Sequence, residues 1–334
     1  MSSLNRRSVL VGATALTAAA LAPAGIATPA RAAAPMSGKQ APGYYRYKVG
    51  DFEVTAVTDG VRPTPLSDGL VRNQPKEAVS DALASLFPGQ SKDQTVFTFT
   101  PVVVNTGQKL VVIDTGVGPG AYTQSKGALG QFHTNLEAAG FDLAGIDTVI
   151  ISHFHGDHIG GLLTSDGKPA FPNAEVMVPA PEWAHWMDDA KMNAAPEGAR
   201  GNFQLVRKVF GALGDKVSRY ETDKELVSGI TAVFSPGHTP GHTSHVVASG
   251  SASALIQADI TAGPALLFVR NPGWQFGFDA DGALAEQTRR KLYDMASAEK
   301  MLIQGFHFPF PSAGYVEKDG DGYRLIPIAW NATL

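Results

Sequence analysis

His153-Phe154-His155-Gly156-Asp157-His158 follows directly on the apolar run Thr148-Val149-Ile150-Ile151. A continuous apolar run this short, rich in β-branched residues, reads as a buried strand. It opens into a turn whose Gly156, Gly160 and Gly161 allow close backbone approach. Three of the nine histidines in the chain fall in this turn, beside a carboxylate. Imidazole nitrogen and carboxylate oxygen are donors that divalent zinc takes at about 2.0–2.2 Å. Alternate side chains at the strand end, His153 and His155, can aim at one point, while Asp157 and His158 aim at a second. The stretch predicts a metal site at the edge of a sheet.

So short a turn cannot enclose a metal, so further donors are expected far along the chain. Three strand ends offer them. Pro236-Gly237-His238-Thr239-Pro240-Gly241-His242 follows the alternating segment Ile230 to Phe234, Asp259 ends the apolar run Ala254 to Ala258, and His307 follows Met301 to Phe306. Strand ends converging on one sheet edge are where α/β folds place their sites. The set is then five histidines (153, 155, 158, 238, 307) and two aspartates (157, 259).

This pattern of HxHxDH, a GHTPGH turn, a lone Asp and a late His resembles the metallo-β-lactamase fold superfamily in its dinuclear hydrolase branch. The resemblance spans about residues 42–330. Ala41 to Arg46 with Gly50-Asp51-Phe52, the segment Leu110 to Gly116, and the closing His307-Phe308-Pro309-Phe310-Pro311 look most like the methyl parathion hydrolase group, and N-acyl homoserine lactonases share the metal pattern. Carried over position by position, the resemblance implies that His153, His155 and His238 hold one metal, that Asp157, His158 and His307 hold the other, and that Asp259 bridges them. It favours His238 over His242, which is left as structural.

Two divalent cations, zinc first with manganese, iron or cobalt as other choices, would lower the pKa of a shared water to about 7. The hydroxide so formed is expected to attack the carbonyl carbon or phosphorus of a small neutral ester, lactone or organophosphate triester. Asp157 and Asp259 are the expected catalytic carboxylates, with Asp157 also suited to pass a proton to the leaving group. Alternatives are a mononuclear iron oxygenase or persulfide dioxygenase of the same fold, which would dispense with His307, and a β-lactam hydrolase.

Asp114 ends the apolar strand Val111 to Ile113 and reads either as a carboxylate that orients a ligand histidine or as a turn aspartate bonded to its own backbone. Trp183, Trp186, Phe203, Trp274, Phe276 and Phe278 lie between ligand groups, where aromatics line a pocket or pack a core. The candidate pocket residues are Trp186, Phe203, Phe308 and Phe310. His133, His185 and His245 match no ligand position.

Composition sets outer bounds. The 334 residues are 44% hydrophobic and 17% charged, with a formal net charge of −4. No basic block appears in the mature part, so the footprint of a nucleic-acid binder is missing and the expected partner is a small molecule. The resembling family suggests a homodimer. Residues 1–32 read as an export signal: Asn5-Arg6-Arg7-Ser8-Val9-Leu10 precedes an alanine-rich apolar stretch and the A-x-A-type site Ala30-Arg31-Ala32. The paired arginines suit twin-arginine export, with a Sec signal as the other reading. A periplasmic or secreted protein follows, without a stable membrane anchor, since Pro23 and Gly25 interrupt the run. The chain has no cysteine, which excludes disulfides and thiolate ligands. A short segment 33–41 leads into the domain 42–334.

Strand patterns over Phe52 to Asp59, Val96 to Asn105, Lys109 to Ile113, Ile230 to Phe234, Ser244 to Ala248, Ala254 to Ala258 and Lys300 to Gly305, with helices over Gln131 to Ala139 and Leu284 to Met295, predict an α/β protein. Two β-rich halves with helices outside give a four-layer αββα sandwich, with the site at the edge between them.

Overall fold

Successive residues of the apolar strands fall alternately into different cores, which is why both faces of these strands are apolar. Val111, Ile113 and Ile150 pack in one buried cluster, while their neighbours Val112, Val149 and Ile151 pack in another. In the second half, Ala254, Ile256 and Leu302 join the first of these clusters, and Leu255 and Ile303 enter a third. The chain thus builds two sheets face to face with a shared apolar layer, and each sheet has its own outer apolar face.

The computed structural model describes residues 36–334 except 39, 88, 90 and 91. The expected export signal and most of segment 33–41 lie outside the described residues. Residues Ala41–Leu334 form one compact unit. Its first sheet runs, in spatial order, Tyr44–Val49, Phe52–Val57, Val102–Asn105, Leu110–Ile113, Thr148–Ile150, Glu175–Pro179 and Val217–Tyr220. The second runs Glu225–Val227, Ile230–Phe234, Thr243–Ser249, Ala252–Ala258, Leu302–Gly305, Ala313–Asp319 and Gly322–Pro327.

Helices Phe132–Ala138, Ala180–Trp186 and Glu197–Leu213 cover the outer face of the first sheet through Phe132, Leu136, Trp186, Phe203 and Phe210. Helix Gly282–Ala298 covers the second through Leu292, Tyr293 and Ala296. These four layers are the expected αββα sandwich. Among the described residues, no helix is long and apolar enough to cross a membrane.

One feature departs from the sequence reading. The single strand expected over Val96 to Asn105 is broken at Pro101: Gln94–Phe99 instead pairs with Gly60–Pro65 as a separate hairpin. Proline lacks the N–H that a continuing ladder needs. That hairpin and helix Lys76–Leu86 bury a further apolar cluster, including Leu83, Phe97, Phe99, Phe276 and Phe306, beneath the site.

Polar contacts tie the two sheets together, among them the Tyr47 hydroxyl donating to Gln304 Oε1 at 3.0 Å. Tyr220 of the first sheet donates to the Ile151 carbonyl at 2.9 Å and lies 3.2 Å from His245 Nε2 of the second. His245 is fully buried, and burial pushes its pKa down to about 4. Its native form is therefore neutral, while the unfolded chain takes up a proton below about pH 6.5. The unfolded state then binds more protons, so this group removes stability as pH falls. Between pH 7.5 and 5.5 the native protein is expected to lose about 1.4 kcal/mol through His245. Denaturant unfolding of wild type and His245→Phe at both values should show a loss larger by about that amount in wild type, since other buried histidines such as His155 contribute to both proteins.

Candidate metal centre

Each candidate ligand sits just beyond a strand or on the turn that follows it. Residues 153–155 follow strand Thr148–Ile150, and Asp157 and His158 lie on the single helical turn Gly156–Ile159. This turn is pressed against the loop after strand Leu110–Ile113: a Cβ added to Gly161 would lie 2.0 Å from the Thr115 carbonyl oxygen. Only glycine permits that approach. His238 sits on the turn between strands Ile230–Phe234 and Thr243–Ser249, Asp259 ends strand Ala252–Ala258, and His307 follows Leu302–Gly305.

The fold brings all seven side chains together in three overlapping groups: His153, His155 and His238; His153, His158 and Asp259; and Asp157, His158 and His307. His155 Nδ1 lies 3.1 Å from His153 Nε2 and 3.0 Å from His238 Nε2. His307 Nε2 is 3.5 Å from Asp157 and 3.2 Å from Asp259. Asp259 turns Oδ2 to His238 Nε2 at 3.2 Å and Oδ1 to His158 Nε2 at 3.3 Å, so its two oxygens face both halves of the set. Donors about 2.0–2.1 Å from a tetrahedral ion stand ~3.3 Å apart, so these separations are those of a coordination shell.

The outward nitrogens decide which atoms are free to bind. His158 Nδ1 donates to Asp114 Oδ2 at 2.8 Å, His238 Nδ1 to Asp279 Oδ1 at 2.9 Å, and His307 Nδ1 to the Thr98 carbonyl at 2.6 Å. His153 Nδ1 reaches Ser152 Oγ at 3.0 Å, and that hydroxyl donates to Asp114 Oδ2 at 2.8 Å. Placing each proton on Nδ1 leaves the Nε2 lone pair facing inward, as metal ligation requires. Buried His158 Nε2 and Asp259 Oδ1 have no hydrogen-bond partner, and unsatisfied buried polar atoms of this kind call for an explanation. Five imidazoles and two carboxylates facing one another, with these atoms unsatisfied, fit two divalent cations.

Electrostatics agree with that reading. Burial by itself raises the Asp259 pKa, but the His307 and His158 imidazoles override it and hold the carboxyl well below its usual range. Burial lowers His238, yet hydrogen bonds to Asp259 and Asp279 push it up to about 9. His155 is lowered to about 3, first by burial and then by His238. In the metal-free protein a proton is therefore held where a cation would sit, and loading must release it.

Of the two Asp114 alternatives the geometry matches the first: the residue adopts φ 60°, but its carboxylate accepts from Ser152 and His158 rather than from its own turn, holding His158 directly and His153 through Ser152. Ser152, Asp279 and Arg289 carry no motif that would have singled them out. Arg289 is almost fully buried, donates to the Ile260 carbonyl at 2.7 Å and lies 3.7 Å from Asp279. It clamps the loop after Asp259 to the carboxylate behind His238.

His242 binds no donor group of the set, and its role is backbone positioning. Its Nδ1 donates to the Ser235 carbonyl at 2.9 Å, so Nε2 is free to accept the Asp259 N–H at 3.0 Å. That contact supports a turn in which Ala258 is forced to φ 49°, a conformation costing about 1–2 kcal/mol. His242→Phe should lower metal affinity about tenfold, a smaller effect than loss of a ligand, and His242→Gln should recover part of it by restoring an acceptor. Competition with a metal chelator measures both.

The site opens into a cavity of about 380 Å³ that includes Phe97, Leu205, Phe276 and Phe278 in its wall, with Arg62 and Asn202 as polar members. The candidate pocket residues Trp186, Phe203, Phe308 and Phe310 are not in that wall. Trp186 donates to buried Glu182 and packs with Phe203 in the core behind His155. Phe308 is fully buried against the second sheet, and Phe310 is exposed at the surface. Phe308 lies in the bend after strand Leu302–Gly305 and turns away from His307 into the core, so adjacency to a ligand misplaced it. Trp183 and Trp274 also stay in packing positions, whereas Phe276 and Phe278 face the cavity. His133, His185 and His245 join none of the donor groups.

Residues 100–305 match the family described as the Metallo-beta-lactamase superfamily, and the chain belongs to it. A N-acyl homoserine lactonase from Bacillus sp is 24% identical over 67% of this chain and 85% of its own length. N-acyl homoserine lactonase AttM from Agrobacterium fabrum is 32% identical over 36% of this chain and 43% of its own. Two solved structures are similar at a TM-score of 0.78. One is a hydrolase of the beta lactamase superfamily, AbOPH, 28% identical over 88% of this chain and all of its own. The other is AidC, a dizinc quorum-quenching lactonase captured with its product, 26% identical over 86% of this chain and 98% of its own. Family, donor set and relatives together define a metal-dependent hydrolase.

Proposed function

We propose that this chain hydrolyses small esters, with lactones first and organophosphate triesters second, by means of two divalent cations. The observation that carries this reading is Asp259, whose two oxygens face His158 on one side and His238 on the other and which lines a cavity walled in part by Phe97, Phe276 and Phe278. His153, His155 and His238 would hold one ion, Asp157, His158 and His307 the other, and Asp259 both. When bound, such a pair supplies Lewis acidity and a water acidified to a pKa of about 7.

The chain's own residues account for the rest. Asp157 retains 23% side-chain exposure and lines the cavity, so it can take a proton from the attacking water and deliver it to the leaving alcohol. Phe97, Phe276 and Phe278 exclude water around the acyl group and leave the scissile bond over the histidines. A single-iron oxygenase of this fold would have no use for His307, whose Nε2 faces Asp157 and Asp259. Zinc suits the all-nitrogen and oxygen donor set, though manganese, iron and cobalt share that preference.

The reading extends to export by way of residues 1–32 and to action as a periplasmic or secreted, homodimeric enzyme on small molecules. The decisive experiment gives zinc-loaded protein a panel of acyl homoserine lactones, aryl esters, nitrocefin and a methyl-parathion-like triester. Lactone or ester turnover lost on chelation and restored by zinc is expected. Turnover of nitrocefin alone, or oxygen uptake with one iron per chain, would overturn the proposal.

A further inference from the structure

Away from the candidate ligands the cavity wall combines apolar side chains such as Phe97, Leu205, Phe276 and Phe278 with one cation. Arg62 lies on strand Gly60–Pro65, and its guanidinium stands 5.4 Å from the ring centres of both Phe97 and Phe99. Phe99 in turn lies 5.3 Å from the His307 imidazole. The guanidinium is thus two ring contacts from a candidate ligand and faces the same cavity.

Among the described residues no carboxylate forms an ion pair with Arg62, and no acceptor takes a hydrogen bond from its side chain. By contrast Arg46, Arg207, Arg289, Arg290 and Arg324 each have a carboxylate within 4.0 Å, and Arg72, Arg200 and Arg270 each donate a hydrogen bond; Arg219 also rests only on a ring, that of Trp183, but is not part of the cavity wall. The other charged side chains of the cavity are Asp157 and Asp259, and both are turned to the histidines. Aromatic faces attract a guanidinium and restrict its motion without using its N–H donors. The result is a fork of donors held ready over the cavity with no partner of its own.

We propose that Arg62 is a specificity-determining residue that seats a carboxylate carried by the substrate away from the scissile bond. The substrate class is then half-esters of dicarboxylic acids, or lactones bearing a free acid, in preference to fully neutral esters. This rests on the hydrolase reading above and corrects its expectation of neutral substrates. Arg62 takes no part in bond cleavage; a planar fork matches a carboxylate with two parallel hydrogen bonds.

The test uses matched pairs differing by one charge, on zinc-loaded full-length protein. Turnover compares the monophenyl ester of glutaric acid with its methyl phenyl diester. Binding compares glutaric acid monoanilide, whose amide resists hydrolysis, with its methyl ester by calorimetry. Exposure of Arg62 places the effect at the low end for charge-assisted hydrogen bonds, so wild type should favour the anion at least about tenfold in kcat/KM and in affinity. Arg62→Gln should bring both ratios close to one, Arg62→Lys should retain part of the preference, and added salt should narrow it. Equal binding of the two anilides to wild type would overturn the proposal, as would a preference that survives in Arg62→Gln, since the anion would then sit on other cations. A binding preference without turnover of either ester or of any substrate in the panel above would leave Arg62 its role and sink the hydrolase reading instead.

Discussion

Replacing Asp259 by alanine is expected to cut turnover at least about a hundredfold and to leave fewer than two metals per chain after dialysis. Among the described residues, no other presents oxygens to both halves of the donor set, with His158 Nε2 at 3.3 Å and His238 and His307 Nε2 at 3.2 Å. Removing it leaves five imidazoles with Asp157 as the one carboxylate of the set, on one side of it, to balance two cations, and loss of even supporting groups at metal sites costs 10–100-fold. Asp259→Asn separates charge from shape. It keeps the side-chain volume and the backbone bond to His242 but not the anion, so it should fail nearly as badly. Elemental analysis reads the stoichiometry independently of any substrate. Two tightly held ions with near-normal turnover in Asp259→Ala would refute the shared-carboxylate arrangement.

The second large effect is expected at Asp114, which touches no substrate. Its carboxylate takes the His158 Nδ1 proton and the Ser152 hydroxyl, each at 2.8 Å, and the Ser152 N–H at 2.9 Å. One buried group therefore sets the orientation of His158 and, through Ser152, of His153. These two histidines belong to different halves of the set. Asp114→Ala should weaken metal affinity about 10–100-fold, with the loss spread over both ions rather than one. Ser152→Ala should cost less and mainly at the His153 side. Because the serine acts through the aspartate, the double variant should be scarcely worse than Asp114→Ala alone, a failure of additivity expected for groups in one hydrogen-bond network. Additive losses in chelator competition would show that the two residues act separately.

The sandwich was legible because its strands are buried on both faces. Runs such as Val111 to Ile113 and Thr148 to Ile151 are apolar at every position, a pattern produced by two cores rather than one. Strand Gly60–Pro65 was harder to see because it is mostly exposed and carries two prolines, so no apolar alternation marks it, whereas helix Glu197–Leu213 was passed over although Phe203, Val206, Phe210 and Leu213 recur at helical spacing and bury one face.

Sequence by itself determined the kind of chemistry and the donors proposed for it. Histidine and aspartate at close spacing, repeated at three strand ends, can be read from residue type alone, because imidazole and carboxylate hold a divalent cation whatever surrounds them. Tertiary structure decided which groups stand behind those donors and which face the substrate. Asp279 lies 41 positions from His238, and no local pattern announces a contact that exists only once two loops pack together. Arg62, Phe97 and Phe278 meet around one cavity from separate stretches of chain, whereas Phe308, beside a ligand in sequence, is turned into the core. Neighbourhood along the chain fixes backbone position, but the direction of each side chain follows from packing.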